Sequence, residues 1–238
     1  VDLTRADLIC VMPSVFAITV VLRRQTRSTS MDAMLASRRA FLMSLLPAAI
    51  AFDRAMAAES GAGPTAVIQR FYDALLSEMK EAKRLTFDQR YQRLAPAITQ
   101  TYNLPLMSRL AVGPAWANLQ PPQQQSVTDA FSRYTISVYA NRFDDYSGER
   151  FDVDPNPANS PNGQIVQTTL TKSNGEKVSL NYLMRQAGAD WQVIDVYLTG
   201  TISQLATQRS EYTAVMQQGG ADALVKLLDQ RIASLRSG

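Results

Sequence analysis

The feature that most restricts the fold is a change of hydrophobic period along the chain. Apolar residues recur at helical spacing to about residue 143, alternate from about 149 to 198, then return to helical spacing. A helix face repeats every 3.6 residues and a strand face every two. The chain therefore predicts helices first, a sheet second and helices last, an α+β arrangement.

Four helices are expected before the sheet. Thr65 to Arg84 carries Val67, Ile68, Phe71, Leu75, Leu76 and Met79 on one stripe, with Pro64 suited to its first turn. Phe87 to Gln100 turns Tyr91, Leu94 and Ile98 inward, and a short helix runs from Pro105 to Leu110 before Gly113-Pro114. Pro121-Pro122 opens a long helix to about Phe143 whose stripe is Val127, Phe131, Tyr134 and Val138. About four antiparallel strands follow: Glu149–Asp154, Gln164–Lys172, Lys177–Gln186 and Trp191–Leu198. A loop of Pro and Asn fills 155–163, and Asn174-Gly175 marks a tight hairpin. Val178, Leu180, Tyr182 and Met184 share one strand face, opposite Ser179, Asn181 and Arg185. Two closing helices, Ile202–Gln217 and Ala221–Leu235, are separated by a Gly219-Gly220 hinge.

Ahead of this domain, residues 37–58 read as a signal peptide. Arg38-Arg39 precede a short apolar run from Ala40 to Phe52, and Ala55-Met56-Ala57 supplies the small residues of a cleavage site. The run is too short to cross a hydrocarbon layer of about 30 Å. Ser37-Arg38-Arg39-Ala40-Phe41-Leu42 has the look of a twin-arginine export motif. Because Met31 and Met34 sit just before it, residues 1–30 are expected to be an over-extended start or an N-terminal extension, 31–58 the signal peptide, and 59–238 the mature domain. The expected location is the periplasm.

Composition removes several chemistries. There is no histidine, so Ser-His-Asp and Cys-His machinery and His-ligated zinc are excluded. The single cysteine, Cys10, precedes the expected cleavage site, which leaves the mature domain without a thiol. Residues 59–238 hold 17 basic and 17 acidic side chains, so no net positive charge favours nucleic acid. Asp144-Asp145 and Asp152/Asp154 lack a third carboxylate or an ion-binding loop, and read as solvated turn acids. Asp195 interrupts the apolar strand Val193, Ile194, Val196 and is expected to be buried, paired with Arg185 or Arg209. No Walker loop, Rossmann fingerprint or nucleophile elbow is present, and no catalytic residue, metal or cofactor is assigned. The aromatics Phe71, Tyr72, Tyr91, Tyr102, Trp116, Phe131, Tyr134, Tyr139, Tyr182 and Trp191 serve equally as core or as the wall of a cavity.

The order of four motifs carries a resemblance. Ala115-Trp116 through Pro121 to Tyr139 is followed by the strand Val178-x-Leu180-x-Tyr182-x-Met184, and then by Trp191-x-Val193-x-Asp195-Val196 leading to Gly200. A helix with Arg209-x-x-Tyr212 and Gly219-Gly220 closes the set. Over about residues 64–236 the sequence resembles the MlaC-like, toluene-tolerance family of periplasmic lipid-binding auxiliary transport proteins. Thr201-Ile202-Ser203-Gln204 stands where the phospholipid branch usually has a Val-Ser pair, and is more similar to the hopanoid-associated branch labelled HpnM. The resemblance implies a twisted antiparallel sheet packed against helices around an apolar cavity, with no catalysis. It implies a carrier that takes the apolar part of a phospholipid or hopanoid between an inner-membrane lipid transporter complex and an outer-membrane donor or acceptor.

Walls for such a cavity are expected from Phe71, Leu75, Leu104, Met107, Leu110, Trp116, Phe131, Tyr134, Val138, Val178, Leu180, Tyr182, Met184, Val196 and Leu198. The physical need for a carrier is plain. Each methylene costs about 0.8 kcal/mol in water, so a sixteen-carbon tail is held back by about 13 kcal/mol. Two other readings stay open on the residues alone: a non-catalytic assembly factor with a filled core and an exposed apolar patch, and a small enzyme using Asp195 and a tyrosine.

Overall fold

The computed structural model describes residues 62–237; the expected signal peptide, the extension before it and Cys10 lie outside the described residues. Helix α1 spans Pro64–Glu81, α2 Phe87–Thr101, α3 Leu104–Val112 and α4 Pro121–Arg142. Strands β1 (Arg150–Val153), β2 (Ala158–Ser160), β3 (Gly163–Thr171), β4 (Lys177–Ala187), β5 (Asp190–Leu198) and β6 (Ile202–Ser203) follow, and α5 (Gln204–Ser237) ends the fold. Among the described residues no helix is long and apolar enough to cross a membrane.

The helix starts have local causes. Pro64 sits in the first turn of α1, and Pro121 opens α4. In α2, Thr86 accepts from the Gln89 N–H while the Gln89 side chain accepts from the Thr86 N–H, a reciprocal cap. Thr86→Ala removes half of it and is expected to cost about 1 kcal/mol in urea unfolding. Asn103 caps α3 through the Leu106 N–H at 3.0 Å. Near the other end of the chain, α5 breaks at Gly220, whose φ of +65° and ψ of −156° leave the helical region, so the expected glycine hinge is present.

Strand order is β1-β3-β4-β5-β6, all antiparallel, with β2 pairing the start of β3 and β1 its end. The sheet therefore has six strands rather than about four. Two were missed because they are two and three residues long, too short to show a period. One of these, β2, lies inside the stretch expected to be loop. The β3–β4 connection is a three-residue hairpin: the Gly175 N–H donates to the Lys172 carbonyl and Lys172 pairs back to Glu176. Gly175 has φ +84°, the left-handed residue this turn requires.

Register decides which side chains share the inner face. Val166 lies opposite Tyr182, Thr168 opposite Leu180, and Tyr182 and Leu180 in turn face Val196 and Leu198. All of these are buried, together with Phe151, Leu170, Met184 and Val193. A bulge interrupts the β4–β5 ladder: Leu183 pairs with Asp195 and Met184 with Val193, leaving Ile194 as the extra residue. The helices cover the inner face. In α4 the run Tyr134 to Ala140 is buried on every side, more than the expected single stripe, because α2, α3 and α5 all pack on it. Small Ser137 and Ala140 permit that approach.

Candidate functional site

The centre of the domain is aromatic and carries hydroxyls. Tyr72 of α1 stacks on Phe151 at 4.3 Å between ring centroids, and Phe71 meets Tyr102 and Tyr139 edge-on at 5.5 and 5.6 Å. The Tyr72 hydroxyl lies 2.7 Å from Thr168 Oγ1 and donates to the Tyr182 hydroxyl at 2.9 Å. The Tyr102 and Tyr139 hydroxyls are hydrogen-bonded to each other, and Thr168 donates to the Leu180 carbonyl. Four tyrosines from α1, the residue after α2, α4 and β4 thus converge, each no more than 4% exposed. Satisfying the hydroxyls on one another avoids the penalty of burying them bare. Burial pushes Tyr72, Tyr102 and Tyr182 well above the ordinary tyrosine range, and raises Tyr139 to about 12 despite its hydrogen bond to Tyr102.

The fifteen expected wall residues come together. Phe71, Leu75, Leu104, Met107, Phe131, Tyr134, Val138, Leu180, Tyr182, Met184, Val196 and Leu198 are buried in one apolar cluster, and Leu110, Trp116 and Val178 are half-buried against it. Three openings lined by described residues lie at the margins of that cluster. One of about 520 Å³ sits between α1, α2 and the start of β5, with Phe71 in its wall and Arg70, Gln100 and Trp191 around it. A second, about 640 Å³, lies between α5 and the sheet face opposite the tyrosines; Leu110, Leu183, Ile194, Arg185 and Arg209 line it. The third, about 540 Å³, is a groove along α5 near Asp222 and Lys226.

Asp195 borders the second opening, and its role differs from the expected ion pair. Its Oδ1 accepts from the Val196 and Leu205 N–H groups at 2.7 and 3.1 Å, and Oδ2 accepts from Ser203 Oγ at 2.5 Å. Ser203 in turn caps Ala206. Arg185 and Arg209 instead donate through Nε to the carbonyls of Asn162 and Leu110. Burial raises the Asp195 carboxyl, opposed by these hydrogen bonds. Both oxygens are thus committed to holding the start of α5, a structural task. The bulge explains the placement: it puts Ile194 and Asp195 together on the side away from Val193 and Val196. Among the described residues no group of His, Cys, Asp and Glu is placed to hold a metal. Asp145 pairs with Lys83, and Asp154 accepts from the Asn156 N–H in a turn.

Sequence reasoning missed the convergence of hydroxyls. It named each tyrosine singly, and partners 96 and 110 residues apart leave no local signal.

With this geometry in place, the family described as MlaC protein matches residues 69–230. The chain belongs to the MlaC family. The matched span holds the whole sheet and the helices apart from the start of α1 and the end of α5. It is 29% identical over 110 residues to the toluene tolerance protein Ttg2D of Pseudomonas putida, covering 46% of this chain and 50% of that one. The chain thus aligns with about half the length of that relative. A phospholipid-binding protein of Ralstonia solanacearum, solved in complex with a phospholipid, superposes with a TM-score of 0.65 at 24% identity. That match covers 73% of this chain and 99% of the other, and establishes the MlaC-type fold here.

Proposed function

We propose that this MlaC-family protein is a non-catalytic periplasmic carrier that sequesters the apolar part of a membrane lipid and moves it between inner- and outer-membrane complexes. The observation that carries the reading is the family match from residue 69 to 230, supported by the fold shared with a protein solved holding a phospholipid. The cargo tail occupies the space between the inner sheet face and α1 and α4, where Phe131, Tyr134, Val138, Leu180, Tyr182 and Met184 form the walls. Here those side chains pack on one another, so loading requires helices and sheet to separate. A tail seated there is spared about 13 kcal/mol of exposure to water during transit, and its own contacts replace those that the walls give up on one another.

The dense interior also favours a second reading, an interaction factor that carries no lipid. Such a factor needs an exposed apolar patch. Ile202, 53% exposed, is the sole large hydrophobic side chain of that kind among the described residues, which weighs against it. Native extraction followed by mass spectrometry separates the two. The carrier should emerge with lipid bound or acquire it from vesicles; a chain that does neither is not a carrier.

A further inference from the structure

We propose that the opening between α1, α2 and the start of β5 is the port through which a lipid tail enters the domain, with Phe71 as its door and the headgroup left at the rim. This rests on the carrier reading and says where loading begins.

Of the three openings described above, this one leads to the aromatic centre on the inner side of the sheet. Its volume of about 520 Å³ is within the ordinary range of ligand pockets, and Val67 and Phe71 of the buried apolar cluster line it. The opening between α5 and the sheet has Leu183 and Ile194 in its floor, which lie outside that cluster, and the groove along α5 touches it only through half-buried Val225. Phe71, 2% exposed, meets Tyr102 and Tyr139 edge-on at 5.5 and 5.6 Å. Neither tyrosine lines the opening, so one phenyl ring stands between the mouth and the centre. Space is left here because Ala74 of α1 and Ala97 of α2 bring only methyl groups to the wall. Two of the walls are tied together: the Asn103 N–H donates to the Val193 carbonyl and Asn103 Nδ2 to Gln192 Oε1, both at 2.9 Å, which fixes the end of α2 on β5. Phe71 meets that unit by ring packing alone, so it is the wall that can swing. The rim is polar. Arg70, Gln100 and Asp190 are exposed there, beside half-buried Trp191. A tail that passes Phe71 leaves its headgroup among hydrated partners, which avoids the penalty of burying it.

The test uses the full chain carrying Cys10→Ser, so that introduced thiols are the only ones present. Ala74→Cys/Ala97→Cys puts a thiol on either side of the mouth, and a bis-methanethiosulfonate reagent spans it reversibly. Uptake from vesicles of phosphatidylethanolamine and phosphatidylglycerol should slow on the order of tenfold once the pair is linked, and recover on reduction. Ser126→Cys/Lys226→Cys, at the groove along α5, should load equally fast linked or reduced. Phe71→Leu should load about threefold faster than the unaltered chain, because the edge-on contacts that hold the door no longer form. Should the alanine pair misfold, Arg70→Cys/Gln100→Cys offers two exposed positions on the same rim. A linked mouth that loads as fast as the reduced one, or equal slowing by the link at α5, overturns the port and leaves the carrier intact. No uptake by the unaltered chain overturns the carrier reading itself.

Discussion

Between pH 10 and pH 12 the protein is expected to unfold in a steep, cooperative step. Tyr72, Tyr102, Tyr139 and Tyr182 all have folded values above the ordinary 10, Tyr139 at about 12, because burial disfavours the phenolate. The folded state therefore keeps protons that the unfolded chain releases. Stability from these groups is complete below pH 10 and is lost as pH rises through the folded values. Each contributes about 1.4 kcal/mol per pH unit, so four remove about 5 kcal/mol per unit. A domain has about 5–15 kcal/mol in total, so a rise of one to two units should suffice. Urea midpoints against pH, read beside tyrosinate absorbance, make the check. Tyr72→Phe/Tyr182→Phe should flatten the slope by about two protons. Gradual ionisation from pH 10 with tertiary structure intact would show that the hydroxyls are not sealed from water.

Asp195→Ala is expected to destabilise the domain by about 3 kcal/mol, the cost of leaving several donors without an acceptor. Those donors are the Val196 and Leu205 N–H groups and the Ser203 hydroxyl, and they join β5 to the beginning of α5. Asp195→Asn keeps an acceptor and should lose about half as much. Its deficit should also vary with pH. Burial places the folded value of Asp195 above 3.8, so the stability linked to this group is full below 3.8 and is lost as pH rises through the folded value. The gap between the unaltered chain and Asp195→Asn should thus narrow on going from acid toward neutral. Unfolding titrations of both chains across that interval provide the measurement. A gap that widens instead would mean that the carboxylate is stabilised in place, as in a true ion pair.

How far the residues foretold the fold depends on how local each cause is. The helix starts at Pro64, Thr86 and Pro121, the turn at Gly175 and the break at Gly220 depend on a few neighbouring residues, and each lies where the pattern places it. The apolar alternation in β4 also named the inner face correctly, as the pairing of Leu180 and Tyr182 with Leu198 and Val196 demonstrates. Nonlocal causes were illegible. The bulge at Ile194 shifts Asp195 to the opposite face, so a residue that looks misplaced in an apolar strand is a helix cap. Within the segment Thr201-Ile202-Ser203-Gln204, Ser203 serves the cap at α5, a task set by how the helix begins. Burial of α4 on all sides was hidden because Thr135 and Ser137 look like surface residues until three helices close over them.

The shape of the sheet margins has a last consequence. On one side β3 is flanked by two fragments of four and three residues; on the other the two-residue β6 pairs with Tyr197 and Leu198 of β5, and the segment after α2 covers β5 at Val193. A long bare margin invites another chain to add a strand, whereas stubs of this length offer almost no template. Whatever parting of layers cargo demands, neighbouring copies find little on these borders to zip onto, and the molecule can loosen inside without seeding aggregates.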